Sequence, residues 1–83
     1  MKSYTKIYMK YFGYCETDVI LCEVCNGIAN DIHHIESRSK RRDLLNDITN
    51  LMSLCRVCHI AYGDRVDKKE ILKQIHLKKL NEA

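Results

Sequence analysis

Cys22-Glu23-Val24-Cys25 and Cys55-Arg56-Val57-Cys58 are the two stretches that decide the fold of this chain. In each stretch two residues separate the cysteines, so both sulfurs can turn towards one ion from a tight knuckle or from the first turn of a helix. Two such pairs complete a tetrahedral site of four thiolates, the arrangement that is typical of structural zinc. The spacing therefore predicts a structural Zn²⁺ with four ligands, which are Cys22, Cys25, Cys55 and Cys58.

A disulfide framework is the competing interpretation of these cysteines. The N-terminal segment lacks the apolar core of a secretory signal, because Lys6 and Lys10 interrupt it. Five cysteines would also leave one unpaired. We therefore expect zinc, in an intracellular and reducing compartment such as the cytoplasm, in a protein that is not secreted. Cys15, the remaining cysteine, fits a small packed thiol.

The length and composition of the chain limit the class of protein. With 83 residues, 46% of them hydrophobic and 30% charged, the chain is expected to form one globular domain. No apolar run approaches the roughly 20 residues that a membrane-spanning helix needs. A membrane protein, a secreted precursor and a large multi-layered enzyme are therefore excluded.

Hydrophobic periodicity and turn residues predict the order helix, knuckle, strand, loop, strand, helix, helix. Asp67 followed by Glu70 predicts a capping box at the start of the last helix. The expected elements are helices over residues 3–12, 55–62 and 67–80, strands over residues 31–35 and 51–54, and a polar loop over residues 36–50. His76 lies near the apolar side of the last helix, where a packed or half-exposed histidine is expected and not a metal ligand.

Three histidines surround the cysteine pairs. His33 and His34 are neighbours on the first predicted strand, so their side chains should point to opposite faces. His59 directly follows Cys58 and is held in one direction by the metal-anchored helix. Singly, each histidine would fit a structural role. Together they are better explained by a second cation bound to His33 and His59, with His34 beside it.

Basic residues are concentrated in two regions, although the net charge is only +3. The first region is the loop that follows the histidine pair, where phosphate contact is the favoured interpretation. Its residues are Arg38, Lys40, Arg41 and Arg42. The second region is the lysine-rich C-terminal segment, which fits a solvated surface and a phosphate-binding surface equally well.

The histidine pair, followed by Asn50 and then by the segment Leu54–His59, resembles the His, Asn, His signature of HNH endonucleases. The resemblance is closest to the small, zinc-stabilised, free-standing members from phages and bacteria. It implies a small α+β, zinc-stabilised domain over residues 1–83. In that domain a treble-clef-like ββα-metal finger (residues 15–63) is flanked by an N-terminal helix (residues 1–14) and a C-terminal helix (residues 64–83).

The same resemblance implies a role for each residue of the signature. His34 matches the general base, and Asn50 matches the residue that holds the loop and orients the base. His33 and His59 match the ligands of a catalytic divalent ion, expected to be Mg²⁺ or Mn²⁺, with Zn²⁺ or Ni²⁺ as alternatives. Many relatives carry a further histidine at the place of Gly63, so water or phosphate oxygens are expected to complete the coordination here.

The function that this resemblance implies is a metal-dependent DNA endonuclease or nickase that hydrolyses phosphodiester bonds. Arg38 is the expected phosphate clamp beside the base. The expected partner is DNA and not a membrane, and the protein is expected to be a monomer or weak dimer that can act with a larger DNA-processing protein. The alternative is a non-catalytic zinc module that binds nucleic acid or a protein.

Overall fold

A two-stranded antiparallel sheet forms the centre of the computed structural model, which describes residues 2–63 and 65–82. Strand β1 (Asp31–His34) pairs with strand β2 (Leu51–Leu54), and the register places His34 opposite Leu51. Every residue of β2 is buried, which explains its continuous apolar character. Both predicted strands are confirmed, with β1 ending one residue earlier than expected.

The first helix, α1 (Ser3–Tyr11), packs against β2 and buries Tyr8 and Met9. The turn that follows the helix contains Gly13, which adopts the left-handed conformation with φ of +75°. The amide of Tyr14 donates to the Met9 carbonyl over 2.7 Å, and the Gly13 amide donates to the Lys10 carbonyl. This is a Schellman motif, in which glycine avoids the steric penalty of a positive φ.

The segment between the strands contains two short 3₁₀ turns, Arg42–Leu44 and Ile48–Asn50. After β2 the chain forms one turn of α-helix, α2 (Arg56–Cys58), and continues as one π-helical turn, His59–Gly63. The sequence predicts a regular helix over residues 55–62, whereas the structure has a π turn in the second half of this segment. Such turns occur frequently at functional sites.

The last helix, α3 (Lys69–Glu82), follows a 3₁₀ turn at Val66–Lys68. The predicted capping box is wrong, because Asp67 lies inside the 3₁₀ turn. Its carboxylate accepts hydrogen bonds from the Arg65 guanidinium instead.

The apolar core contains two of the predicted zinc ligands, so the metal site and the core are one unit. The core cluster consists of Cys22, Ile35, Met52, Leu54, Cys58 and Leu72. Helices on both sides of the small sheet confirm the predicted α+β class. Within residues 2–63 and 65–82, no helix combines the length and apolar character needed to cross a membrane.

A buried polar cluster joins both terminal helices to the first cysteine pair. Glu23, between Cys22 and Cys25, accepts a hydrogen bond from the Tyr8 hydroxyl. Its other oxygen accepts from Nδ1 of His76 over 2.8 Å, and Nε2 of His76 donates to the Ile48 carbonyl over 2.7 Å. His76 and Glu23 therefore form a buried hydrogen-bonded pair that links α3 to the first cysteine pair.

Candidate functional site

The four cysteines of the two pairs converge on one point. Their sulfur atoms all lie within 4.8 Å of one another, and Sγ of Cys25 is 3.6 Å from Sγ of Cys55. Around a tetrahedral zinc with bonds of about 2.3 Å, neighbouring sulfurs are about 3.8 Å apart. All five cysteines are free thiols, so no disulfide forms among them. The cluster can hold a structural metal such as zinc.

Local backbone geometry shapes each half of this cluster. In the first pair, the Cys22 amide donates to the Gly27 carbonyl, and Asn26 adopts a left-handed φ of 67° to close the turn. The Gly27 amide then points at Sγ of Cys25 over 3.4 Å. In the second pair, the Cys58 amide points at Sγ of Cys55 over 3.4 Å. These contacts fix the direction of both sulfur atoms.

His34 is held in one tautomer at the end of β1. Its side chain is buried, with 8% of the residue exposed, and its ring meets the Tyr4 ring edge-on at 4.6 Å. Nε2 lies 2.9 Å from the Leu45 carbonyl, which only accepts, so Nε2 carries the proton and Nδ1 is left as an acceptor. Burial lowers the pKa of His34 below its ordinary value; the Leu45 carbonyl opposes this shift and Arg38 adds to it. His34 is therefore neutral near pH 7.

Asn50 fixes the loop that contacts His34. Its Oδ1 accepts from the Glu36 amide over 2.7 Å, and its Nδ2 donates to the Glu36 carbonyl over 3.1 Å and towards the Leu44 carbonyl over 3.4 Å. Only 3% of Asn50 is exposed. The side chain therefore joins the end of β1 to the residue before Leu45, whose carbonyl orients the His34 ring.

His33 and His59 face each other beside His34. Their ring centroids are 4.9 Å apart, a separation at which two imidazoles can share an ion with bonds of about 2.1 Å. Nδ1 of His59 lies 2.9 Å from the Asp31 carboxylate, a contact that orients the His59 ring. The hydrogen bond with His59, with a contribution from Arg56, keeps the pKa of Asp31 below its ordinary value.

Sequence reasoning missed Asp31 as a residue of this site. A usable signal was present, because Asp31 and His33 are two residues apart on a strand and so share one face. A carboxylate beside a metal-binding histidine commonly fixes its tautomer and ring orientation. The contact with His59 spans 28 residues of chain, which a local pattern does not show.

Gly63 closes the π turn directly against the two histidines. A Cβ atom at this position would lie 2.4 Å from Cδ2 of His59 and 3.3 Å from Cε1 of His33. Because Asp31 holds the His59 ring, the ring has little freedom to move away. Gly63 stands where many relatives are expected to carry a further histidine. The structure leaves no space for a side chain at this position.

The histidines open into one cleft of about 720 Å³. Four cationic side chains line it, namely Arg38, Lys40, Arg65 and Lys69. Of the predicted basic loop, Arg38 and Lys40 reach the cleft, whereas Arg41 and Arg42 are not among the described lining residues. Arg41 instead forms an exposed ion pair with Asp43 at 3.0 Å. Tyr4 and Lys69, which belong to the flanking helices, were not predicted as site residues.

Comparison with known families agrees with this geometry. The profile of the HNH endonuclease family matches residues 22–65, more than half of the chain. That segment contains both cysteine pairs, the sheet, the loop held by Asn50 and the π turn. The chain therefore belongs to the HNH endonuclease family. No curated protein and no solved structure matches it.

Proposed function

We propose that this protein is a metal-dependent HNH DNA endonuclease that cuts one strand at a time, with His34 as general base. The observation that carries the proposal is the tautomer of His34. The Leu45 carbonyl occupies Nε2, which leaves Nδ1 able to accept a proton beside the facing pair His33 and His59. A neutral histidine with a usable lone pair is the group that general-base catalysis needs near pH 7.

In the proposed reaction, Nδ1 of His34 removes a proton from a water molecule while the water oxygen attacks the phosphorus atom. A P–O bond of the backbone breaks, and the leaving oxygen takes a proton from solvent water, so the strand is left with a phosphate on one side and a hydroxyl on the other. During proton transfer, the Leu45 carbonyl continues to accept from Nε2 and stabilises the charged ring. Asn50 keeps that carbonyl in place through the loop.

The donor sets of the two sites suit different metals. A divalent ion on His33 and His59 would polarise the scissile phosphate and stabilise the leaving oxygen, and Mg²⁺ or Mn²⁺ are proposed, with Zn²⁺ or Ni²⁺ as imidazole-binding alternatives. The thiolate site suits Zn²⁺ and is assigned a structural role. Arg38, close enough to His34 to affect its pKa, is proposed to hold the phosphate.

One such centre cuts one strand. Residues 1–83 are proposed to act as one HNH domain, monomeric or weakly dimeric, and cutting of both strands would need a dimer, two successive events or a larger DNA-processing partner. A non-catalytic zinc module that binds nucleic acid or protein is the alternative, and the assay below separates the two.

The test is conversion of supercoiled plasmid to open circles by the zinc-loaded protein. Mg²⁺, Mn²⁺, Zn²⁺ and Ni²⁺ are added separately, and the His34→Ala protein serves as the matched control. Zinc content and circular dichroism are measured after EDTA treatment, so that unfolding is not mistaken for loss of the catalytic ion. Nicking by the wild type but not by His34→Ala supports the proposal. Plasmid that is bound but intact with all four metals favours the non-catalytic module.

A further inference from the structure

Glu36 binds two lysines of α3 at the edge of the cleft. Its carboxylate lies 2.9 Å from Nζ of Lys69 and 2.8 Å from Nζ of Lys73. The hydrogen bonds from Lys73 and Lys69 lower the pKa of Glu36 to about 2, so the carboxylate is charged at neutral pH. One negative charge is thus shared by two positive charges, which leaves a surplus of one positive charge at this position.

The position of this group is set by the same side chain that organises the candidate catalytic site. Asn50 holds both the amide and the carbonyl of Glu36, two residues beyond His34. The backbone of Glu36 is therefore held in place. Its carboxylate in turn holds the two ammonium groups at the edge of the cleft. Lys69 itself lines the cleft.

The two lysines also continue the basic surface of the preceding loop. The pKa of Lys73 is raised by its hydrogen bond to Glu36, and Arg41 is close enough to oppose that rise. Arg38 and Lys40 line the cleft, so positive charge extends from the cleft to the exposed side of α3. Each ammonium group has three N–H donors, and Glu36 does not use all of them.

We propose that Lys69 and Lys73 bind backbone phosphates of DNA beyond the scissile bond, and that Glu36 holds both ammonium groups in place when DNA is absent. This inference rests on the proposed function for its ligand, and both lysines lie outside the segment that matches the HNH family. Phosphate contacts of this kind position the nucleic acid without reading its sequence.

The test is binding of a fluorescein-labelled 30-base-pair duplex to the zinc-loaded chain, measured by anisotropy without added Mg²⁺ or Mn²⁺ over a salt series. Lys69→Ala and Lys73→Ala should each weaken binding about fivefold at low salt and reduce the slope of log K against log salt by about one. Lys78→Ala, the matched control, removes the same charge from an exposed position on α3 outside the cleft and should leave both values unchanged.

A substitution that should tighten DNA binding tests the inference even if a lysine variant folds poorly. Glu36→Gln removes the competing carboxylate and should tighten binding about threefold, because both ammonium groups and their surplus charge become available to phosphate. Unchanged salt slopes in both lysine variants, or weaker binding by Glu36→Gln, would overturn the inference.

Plasmid nicking by the wild type decides the proposed function separately. Lysine-dependent binding without nicking would retain the phosphate site and reject the nuclease mechanism. Nicking with lysine-independent binding would retain the nuclease mechanism and reject the phosphate site.

Discussion

His33 and His34 are chemically identical neighbours, but they have different surroundings. The His33 ring faces His59 and the π turn, whereas the His34 ring meets Tyr4 and the Leu45 carbonyl. Alternation along a strand sends adjacent side chains to opposite faces. A single peptide bond is therefore enough to separate a proposed ion ligand from a proposed base.

We expect alanine at these two positions to cause different defects. His34→Ala should lower the rate of plasmid nicking by about 100-fold or more while DNA binding is kept, since it removes the general base. His33→Ala should weaken the catalytic ion site, so part of its activity should return at high metal concentration. Nicking across a metal titration distinguishes the two, and full cleavage by His34→Ala would contradict the mechanism.

Gly63→Ala tests the tight packing beside His59. The added Cβ would lie 2.4 Å from the His59 ring, so the ring must leave its hydrogen bond with Asp31 or the π turn must shift. We expect a loss of nicking of about tenfold or more with the zinc content unchanged, because displacement of a positioned group by about 1 Å can cost about 100-fold. Gly27→Ala is a suitable comparison, since its Cβ would meet only Sγ of Cys25, at 3.4 Å. Wild-type nicking by Gly63→Ala would show that the packing is not needed.

At the scale of elements, local signals predicted most of the fold. The strand over Leu51–Leu54 and the first helix carry their information within a few residues, and both predicted elements are confirmed. The π turn at His59–Gly63 could not be predicted, because it depends on contacts of His59 with a distant strand. The capping box failed for a local reason, since Arg65 competes for the Asp67 carboxylate.

The candidate site shows the same division. The spacing of the cysteines predicted their convergence, and the histidines of the His, Asn, His signature line one cleft, whereas Asn50 is buried outside its lining. Lys69 and Tyr4 come from helices outside the signature, so only the tertiary fold shows that they reach it. The catalytic and binding roles of the signature residues stay predictions.

The link between Glu36 and α3 should make stability depend on acid pH. Folding lowers the pKa of Glu36 from 4.5 to about 2, so its stabilising contribution is complete above about pH 4.5 and is lost as the pH falls towards 2. Glu36→Gln should therefore be less stable than the wild type at pH 7, and the difference should shrink through this window. Urea unfolding of both proteins at matched zinc occupancy measures it. Equal stability of the two proteins at pH 7 would contradict the assignment.

For the whole molecule, the metal site connects segments that are far apart in the chain. Cys22 and Cys58 are buried in the core cluster, and an 83-residue chain has a small core. Binding of a structural metal then contributes directly to the free energy of folding.

Cys58→Ser should therefore prevent folding, because a serine hydroxyl is a poor zinc ligand. We expect loss of native circular dichroism and of cooperative melting, with zinc content close to zero. Cys15→Ser is the matched control, and it should melt like the wild type. Cys15 is exposed and outside the cluster, so the expectation of a packed thiol is wrong. A Cys58→Ser protein that melts cooperatively without metal would refute the four-cysteine assignment.

The buried hydrogen bonds of His76 are a second connection across the whole molecule. His76 is 1% exposed, and its two ring nitrogens join α3 to the first cysteine pair and to the turn before β2. His76→Ala leaves the Glu23 side chain and the Ile48 carbonyl without this partner, so the free energy of unfolding should fall by about 1–3 kcal/mol for each group.

Tyr8→Phe should have a smaller effect, about 1–3 kcal/mol, because it removes the hydroxyl that bonds to Glu23 and Ser53 but leaves the contact between Glu23 and His76. Burial raises the pKa of Tyr8, and the Glu23 carboxylate adds to the rise, so the phenol remains a neutral donor throughout the measurement. Urea unfolding of the zinc-loaded variants, with Lys78→Ala as a surface control, gives the order of stability. If His76→Ala were as stable as Lys78→Ala, the buried hydrogen bonds of His76 would not contribute to holding α3 against the first cysteine pair.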